Sequence, residues 1–334
     1  MMRVLMTGAN GFLGRNLIRR LDGEGVCLNL IVRGESQKVR ITKPMSGPLN
    51  HPASTKAQFY YAVDIGAATE WDDSLKGVDV VVHLAARAHV LHEKNADPLA
   101  AYRAVNTDGT LRLASASAAA GVRRFVFISS IGVLGNSDRG APFSEGDLPR
   151  PHSDYAVAKW EAEQGLHALS RDTGMEIVIV RPPLVYGPEV QGNFLRLLSL
   201  VYRNWPLPFK DIKNSRSFIG VENLSEFLAL CVHTKNAAGE TFVLSDGRDF
   251  STAELIIEIA ARMNRRARLF PCPDALLRGF ARFAGKESVY ESLCGSLRVD
   301  NKKARSLLGW NPPLSAETGL TRTVEWFLAS RHVR

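Results

Sequence analysis

Apolar residues along this chain fall first into short runs of four to seven. Arg3–Thr7 is a β-type run that ends at a glycine, and a helical spacing follows from about Gly11 to Leu21. Val26–Val32, Phe59–Val63, Val78–Leu84, Arg124–Ser129 and Glu176–Val180 read as further buried strands. Between them, Asp97–Ala120, closed by Gly121, and Asp154–Arg171 carry helical periodicity. Strands alternating with helices predict an α/β protein with a doubly wound parallel sheet. Residues 34–57 hold Gly, Ser, Pro and Lys without a period and read as a surface loop. After Arg181 the rhythm breaks, with prolines at 182, 183, 188, 206 and 208. Phe242–Leu244 reads as one late strand that returns to the sheet, and Thr252–Met263 and Thr318–Ala329 as surface helices. The predicted division is a nucleotide-type domain of residues 1–181 and about 217–247. A smaller, interleaved domain takes about 182–216 and 248–334.

Composition narrows the class of partner. The 334 residues are 45% hydrophobic and 23% charged, which suits a globular protein that buries a sizeable core. The formal charge of +8 favours anionic partners. Basic residues are spread along the chain without a nucleic-acid-binding motif, so small anionic ligands are expected rather than nucleic acid. No apolar run reaches the length of a membrane span, and Met1–Met6 is too short for a signal-peptide core, which gives a cytoplasmic expectation. Cys27, Cys231, Cys272 and Cys294 are far apart, form no CxxC pair and read as reduced structural thiols; no metal site is expected.

Two segments carry chemistry. In Thr7-Gly8-Ala9-Asn10-Gly11-Phe12-Leu13-Gly14, Gly8 allows a tight turn, Gly11 a close approach to a pyrophosphate, and Gly14 close packing of helix on strand. The helix would turn its positive end to the phosphates of a dinucleotide. An acidic residue at the end of the second strand would hold the ribose of NAD, but Arg33 stands there and tips the reading toward NADP. An arginine stacked on adenine would fit either cofactor. Asp64, after the third strand, is placed to accept from the adenine amino group, or else to cap a turn. Further on, Tyr155 and Lys159 share a helix face at i and i+4. A lysine ammonium there favours the phenolate, and a tyrosine so tuned can exchange a proton with a sugar hydroxyl. Lys159 could also hold the nicotinamide ribose. Ser130, at a strand end, can donate to the same substrate oxygen.

With Asp64-Ile65, His83-Leu84-Ala85-Ala86, Val105–Thr110, Phe127–Ser130 and Arg181–Pro188, these segments run in a recognisable order. The sequence resembles the extended short-chain dehydrogenase/reductase family, in its nucleotide-sugar epimerase/dehydratase branch. The resemblance implies a Rossmann domain for NAD or NADP and a C-terminal domain for a nucleotide sugar. It implies Ser130, Tyr155 and Lys159 as catalytic residues. It implies Gly8, Asn10, Gly11, Phe12, Leu13, Gly14, Arg33, Asp64, Ile65, Leu84, Ala85 and Ala86 as the cofactor site. Asn106 would support the active-site helix beside that site, and Pro182 and Val185 would pack near the nicotinamide.

Asn193 and Arg216 resemble the diphosphate clamp of UDP-sugar epimerases, and Arg298 another nucleotide contact. Arg87, with His89 and His92, follows the cofactor segment and would face either the sugar or solvent. Ile131 and Gly132 stand where hexose dehydratases carry an acid/base pair, which argues against 4,6-dehydration. The expected reaction is C4 epimerisation of a UDP-hexose or UDP-N-acetylhexosamine through a 4-keto sugar. The alternative is C4 reduction of a UDP-4-keto-6-deoxy-N-acetylhexosamine; a non-catalytic NADP sensor is the reading from another class. Leu184 replaces the asparagine of galactose epimerases, against glucose/galactose interconversion in particular.

The resemblance further implies a homodimer through helices 97–120 and 154–171. Ala275–Lys286 pairs an apolar face with Arg278, Arg282 and Lys286. It is expected to cover the sugar site with that face on the core. The alternative is an interfacial helix on an anionic membrane, which would admit a lipid-linked sugar.

Overall fold

The computed structural model describes residues 1–22, 24–32, 56–61, 64–88 and 97–332. Seven parallel strands form the main sheet. They are β1 (Arg3–Thr7), β2 (Cys27–Val32), β3 (Lys56–Tyr61), β4 (Val80–His83), β5 (Arg124–Ile128), β6 (Glu176–Arg181) and β9 (Thr241–Val243), in the order β3-β2-β1-β4-β5-β6-β9. The late strand therefore returns to the sheet beside β6. β3 begins three residues before the sequence expectation and is in register with β2 along its whole length.

Alternation along the strands sends side chains to opposite faces. Val4 and Met6 face a core with Leu28, Leu30, Val82, Val126 and Val180, closed by helices α1 (Phe12–Leu21) and α7 (Val221–His233). Leu5, Val81, Phe125, Phe127 and Ile179 face the other side. There, after the short α2 (Asp72–Leu75), α4 (Thr110–Ala119) and α5 (Asp154–Thr173) supply Leu113, Ala114, Ala162 and Leu166. Burial on both faces is why these strands read as unbroken apolar runs.

The expected single helix over 97–120 is three pieces. α3 (Pro98–Arg103) is capped by the Asp97 side chain, Ala104–Gly109 is a π-turn, and α4 follows. The apolar spacing is continuous across the join, so the sequence alone does not show it.

A second sheet, β10 (Asp249–Phe250), β8 (Arg216–Gly220) and β7 (Leu184–Tyr186), supports the other core. α6 (Gly192–Tyr202), α8 (Thr252–Arg262) and α12 (Ala316–His332) pack Phe194, Leu198, Ile256, Ile259, Leu320 and Phe327 around Tyr186, Phe218 and Phe250. Residues 217–220, expected in the nucleotide half, pair in this sheet. Conversely Ala304, on α11 (Lys302–Leu308), and Trp310 join the first core, where Trp310 meets Phe227 edge-on at 5.1 Å.

α9 (Asp274–Phe283) and α10 (Glu287–Cys294) form an outlying pair. Here the expectation fails: the apolar face of α9 does not lie on the core. Leu276, Phe280 and Phe283 are 66%, 74% and 92% exposed. Leu277 and Ala281 are half-buried, and the helix packs on α10.

Candidate active site

The C-terminal ends of β1, β4, β5 and β6 share one edge of the sheet, the usual ligand crevice of open parallel sheets. The glycine segment follows β1. Gly8 has φ +68°, and a Cβ there would come within 2.8 Å of the Ala85 nitrogen. At Gly14 a Cβ would meet the Gly8 carbonyl oxygen at 2.3 Å. Gly11 caps α1, and its N–H donates to the Gly8 carbonyl at 2.9 Å. Three close approaches in one turn, opening on a helix N-terminus, fit the phosphates of a dinucleotide. Arg15 donates to the Asn10 carbonyl at 2.5 Å and pairs with Glu189, which ties this turn to the loop after β7. Phe12 packs toward the second core and Leu13 toward the first. Arg33, His89 and His92 lie outside the described residues.

The segment after β4 is held by a polar net that sequence reasoning missed. His83 is fully buried between Thr7 Oγ1 (2.7 Å) and Thr110 Oγ1 (3.0 Å), and Ala85 N–H donates to Thr7 Oγ1. Burial, aided by Lys159, pushes the His83 pKa down to about 3, so the ring is neutral. The π-turn reaches the same place. Asn106 Oδ1 accepts from Arg87 N–H at 2.8 Å and its Nδ2 donates to the Arg87 carbonyl at 3.0 Å. Its neighbour Thr107 reaches α5, donating to the Ala158 carbonyl at 2.9 Å. The Arg87 guanidinium lies 5.7 Å from the Tyr102 ring centre. Ile65 packs where a Cβ on Gly109 would fall, at 2.8 Å, and the Asp64 carbonyl accepts from Thr69.

The third part joins β5, β6 and α5. The ladder runs past β5, with Ser129 N–H donating to Val180 and Ile131 N–H to Pro182. Ser130 between them is extended, and its Oγ accepts from Gly132 N–H at 3.1 Å. Its hydroxyl hydrogen remains to donate elsewhere. Under it lies a buried net in which Glu163 pairs with Arg181 (2.5 Å) and accepts from Ser129. Glu163 stands four residues after Lys159, one helical turn below it.

Tyr155 and Lys159 lie on one face of α5, but their electrostatics differ from the sequence expectation. The Lys159 ammonium donates to the Ile128 carbonyl at 2.8 Å, lies 4.4 Å from the Phe127 ring centre and 6.0 Å from that of Tyr155. Burial lowers the lysine to about 7, against the opposing pull of Glu163. Burial, with a smaller contribution from Tyr102, raises the tyrosine to about 12. Loss of water, and not the expected lysine-on-tyrosine attraction, sets both shifts.

The expected substrate residues divide. Arg216 donates to the carbonyls of Gly295 (2.8 Å) and Glu291 (3.3 Å), and Arg298 pairs with Asp138 at 2.7 Å. Residues 216 and 297 bridge, and Asp138 accepts from Arg298 N–H, so both arginines stand on one wall. Asn193 is exposed at the start of α6. His152 was not foreseen: its Cε1 and Ser130 Oγ lie 3.8 and 3.3 Å from where a Cβ on Gly132 would stand. No spacing rule marks it.

The sheet order, the glycine turn and the tyrosine–lysine helix define an enzyme of the extended short-chain dehydrogenase/reductase kind. The family model described as "NAD dependent epimerase/dehydratase family" matches residues 4–245, and the chain belongs to that family. The UDP-glucose 4-epimerase of Vibrio cholerae is 38% identical over 98% of this chain and 96% of its own length. The N-acetyl-alpha-D-glucosaminyl-diphospho-ditrans,octacis-undecaprenol 4-epimerase of Escherichia coli O157:H7 is 26% identical, covering 97% and 94%. Among solved structures, UDP-glucuronic acid 4-epimerase from Bacillus cereus, in complex with UDP-glucuronic acid and NAD, superposes with TM-score 0.77. It is 26% identical and covers 98% of this chain and 100% of that one.

Proposed function

We propose that this enzyme epimerises C4 of a UDP-sugar, with an N-acetylhexosamine the favoured substrate. The observation that carries the reading is Tyr155 and Lys159 on one face of α5, with the Lys159 ammonium bonded to the Ile128 carbonyl at the end of β5, two residues before Ser130. The relatives support C4 epimerisation: two that align over nearly the whole chain are named as 4-epimerases, one of UDP-glucose and one of an N-acetylglucosaminyl-diphospho-undecaprenol.

Residues 8–14, Asp64, Ile65, Leu84–Ala86, Pro182 and Val185 would hold NAD or NADP. When bound, that cofactor supplies a hydride acceptor and donor. The protein's part is to move a proton and hold the sugar. Tyr155 exchanges the C4 hydroxyl proton, Ser130 donates to the same oxygen, and Lys159 supplies the charge that stabilises the phenolate when it forms. Arg216 and Arg298 would meet the diphosphate with the N–H groups not engaged by Glu291, Gly295 and Asp138. Gly132 and Ile131 carry no proton-transfer group, so the sequence of steps stops short of 4,6-elimination. Leu184, 40% exposed at the mouth of β7, argues for a sugar other than plain glucose or galactose.

The test is proton NMR of the anomeric signal with UDP-N-acetylglucosamine, in NAD and then in NADP. A C4 epimer approaching an equilibrium mixture without net cofactor reduction is the expected result. No epimer, with turnover of a UDP-4-keto-6-deoxy-N-acetylhexosamine by NADPH, would give the chain to the ketoreductases instead.

A further inference from the structure

Residues 262–286 hold seven basic side chains and one acidic one, in a chain whose whole net charge is +8. The same stretch contains α9, whose helical positions place Leu276, Phe280 and Phe283 on one side and Arg278 and Arg282 on the other. All three apolar side chains are mostly exposed, and among the described residues nothing covers them. Two further large apolar side chains are exposed near the same stretch of chain. Phe270 is 44% exposed, and its N–H donates to Leu207, two residues from a Trp205 that is 56% exposed.

We propose that this face docks the enzyme on an anionic phospholipid bilayer. An amphipathic helix with bulky apolar residues on one side and arginines on the other lies in a bilayer interface. There the rings enter the acyl boundary and the guanidinium groups reach the headgroups. Like charge disfavours a second copy: two such surfaces would bring their arginines together. No helix among the described residues is long and apolar enough to cross a membrane, so the contact is peripheral.

The position matters for the substrate. α10, which packs on α9, is fastened to the wall that carries the two arginines. Asn214 and Arg216 donate to carbonyls of residues 291–295, and Asn136 donates to Glu291. Docking through α9 sets that wall near the bilayer surface. The inference does not depend on which sugar is turned over.

Full-length enzyme would be sedimented with vesicles of phosphatidylcholine alone and with one-third phosphatidylglycerol, at low and high salt. The expected result is binding to anionic vesicles at low salt that weakens as salt rises. Phe280→Glu with Phe283→Glu should lower that binding at least about tenfold, as should Arg278→Glu with Arg282→Glu. Both pairs should keep full turnover of a water-soluble substrate, which also shows that they fold. Absence from the pellet at low salt overturns the proposal, as does equal pelleting of the wild type and both variants. If the apolar variants change only the oligomeric state in analytical ultracentrifugation, the face belongs to a second copy and the proposal fails.

Discussion

Lys159 and Tyr155 carry opposite shifts, and their sum sets a pH profile. The lysine titrates near 7 and the tyrosine near 12. The competent pair holds one proton between the two groups, so kcat/KM of the free enzyme should climb as pH rises through about 7. It should then stay level into alkaline solution, read as apparent constants of the pair. Lys159→Arg, always charged, should remove the rise near 7 and move it up to the titration of the tyrosine itself. Tyr155→Phe should lower kcat by about 10²–10⁴-fold while circular dichroism stays unchanged. Glu163→Gln tests the support beneath. It leaves the buried Arg181 guanidinium without its counter-charge, which should cost about 3–5 kcal/mol in urea denaturation. These residues were legible in unequal measure. Tyr155, Lys159 and Ser130 stood out because their spacing on a helix and at a strand end follows from local geometry. Glu163 and His83 did not, because what makes them matter is burial, which depends on residues far off in sequence. Burial also reverses the expected sign at Tyr155.

At the scale of elements, the strands and the glycine turn were readable because each rests on a local rule: short unbroken apolar runs for the strands, positive φ at Gly8 and close approach at Gly8 and Gly14. The π-turn was not. One residue is inserted without disturbing the apolar stripe, yet it aims Asn106 at the Arg87 peptide and Thr107 at α5. π-turns of this kind gather at functional sites. Thr107→Val should preserve the hydrophobic contacts and lose the tie to Ala158. A fall in kcat with little change in thermal midpoint is the expected result, from steady-state kinetics and a melting curve. The amphipathic pattern of Ala275–Lys286 was read correctly as a pattern and wrongly as a packing. Periodicity shows that a face is apolar; it does not show which body the face meets.

For the whole molecule, two cores share one chain that crosses between them repeatedly. β9 enters the first core from residue 241, and Ala304 and Trp310 complete it, while α12 closes the second. Truncation after residue 300 removes the Trp310 ring from Phe227. The first core should then lose cooperativity, seen as a broadened urea transition with a lower m-value. This interleaving is also why one strand serves both cores, Ile219 of β8 packing in the first and Phe218 in the second, and why Trp310 lies far along the chain from the core it joins. The same threading has a consequence for biosynthesis. A growing chain exposes β1 to β6 well before the seventh strand of their sheet and their closing indole have been translated. At about 5–20 residues per second, the roughly 130 residues from β6 to Trp310 take about 6 to 26 seconds. During that interval Phe227, once made, has no indole to meet, and holdase chaperones have an apolar surface to grip.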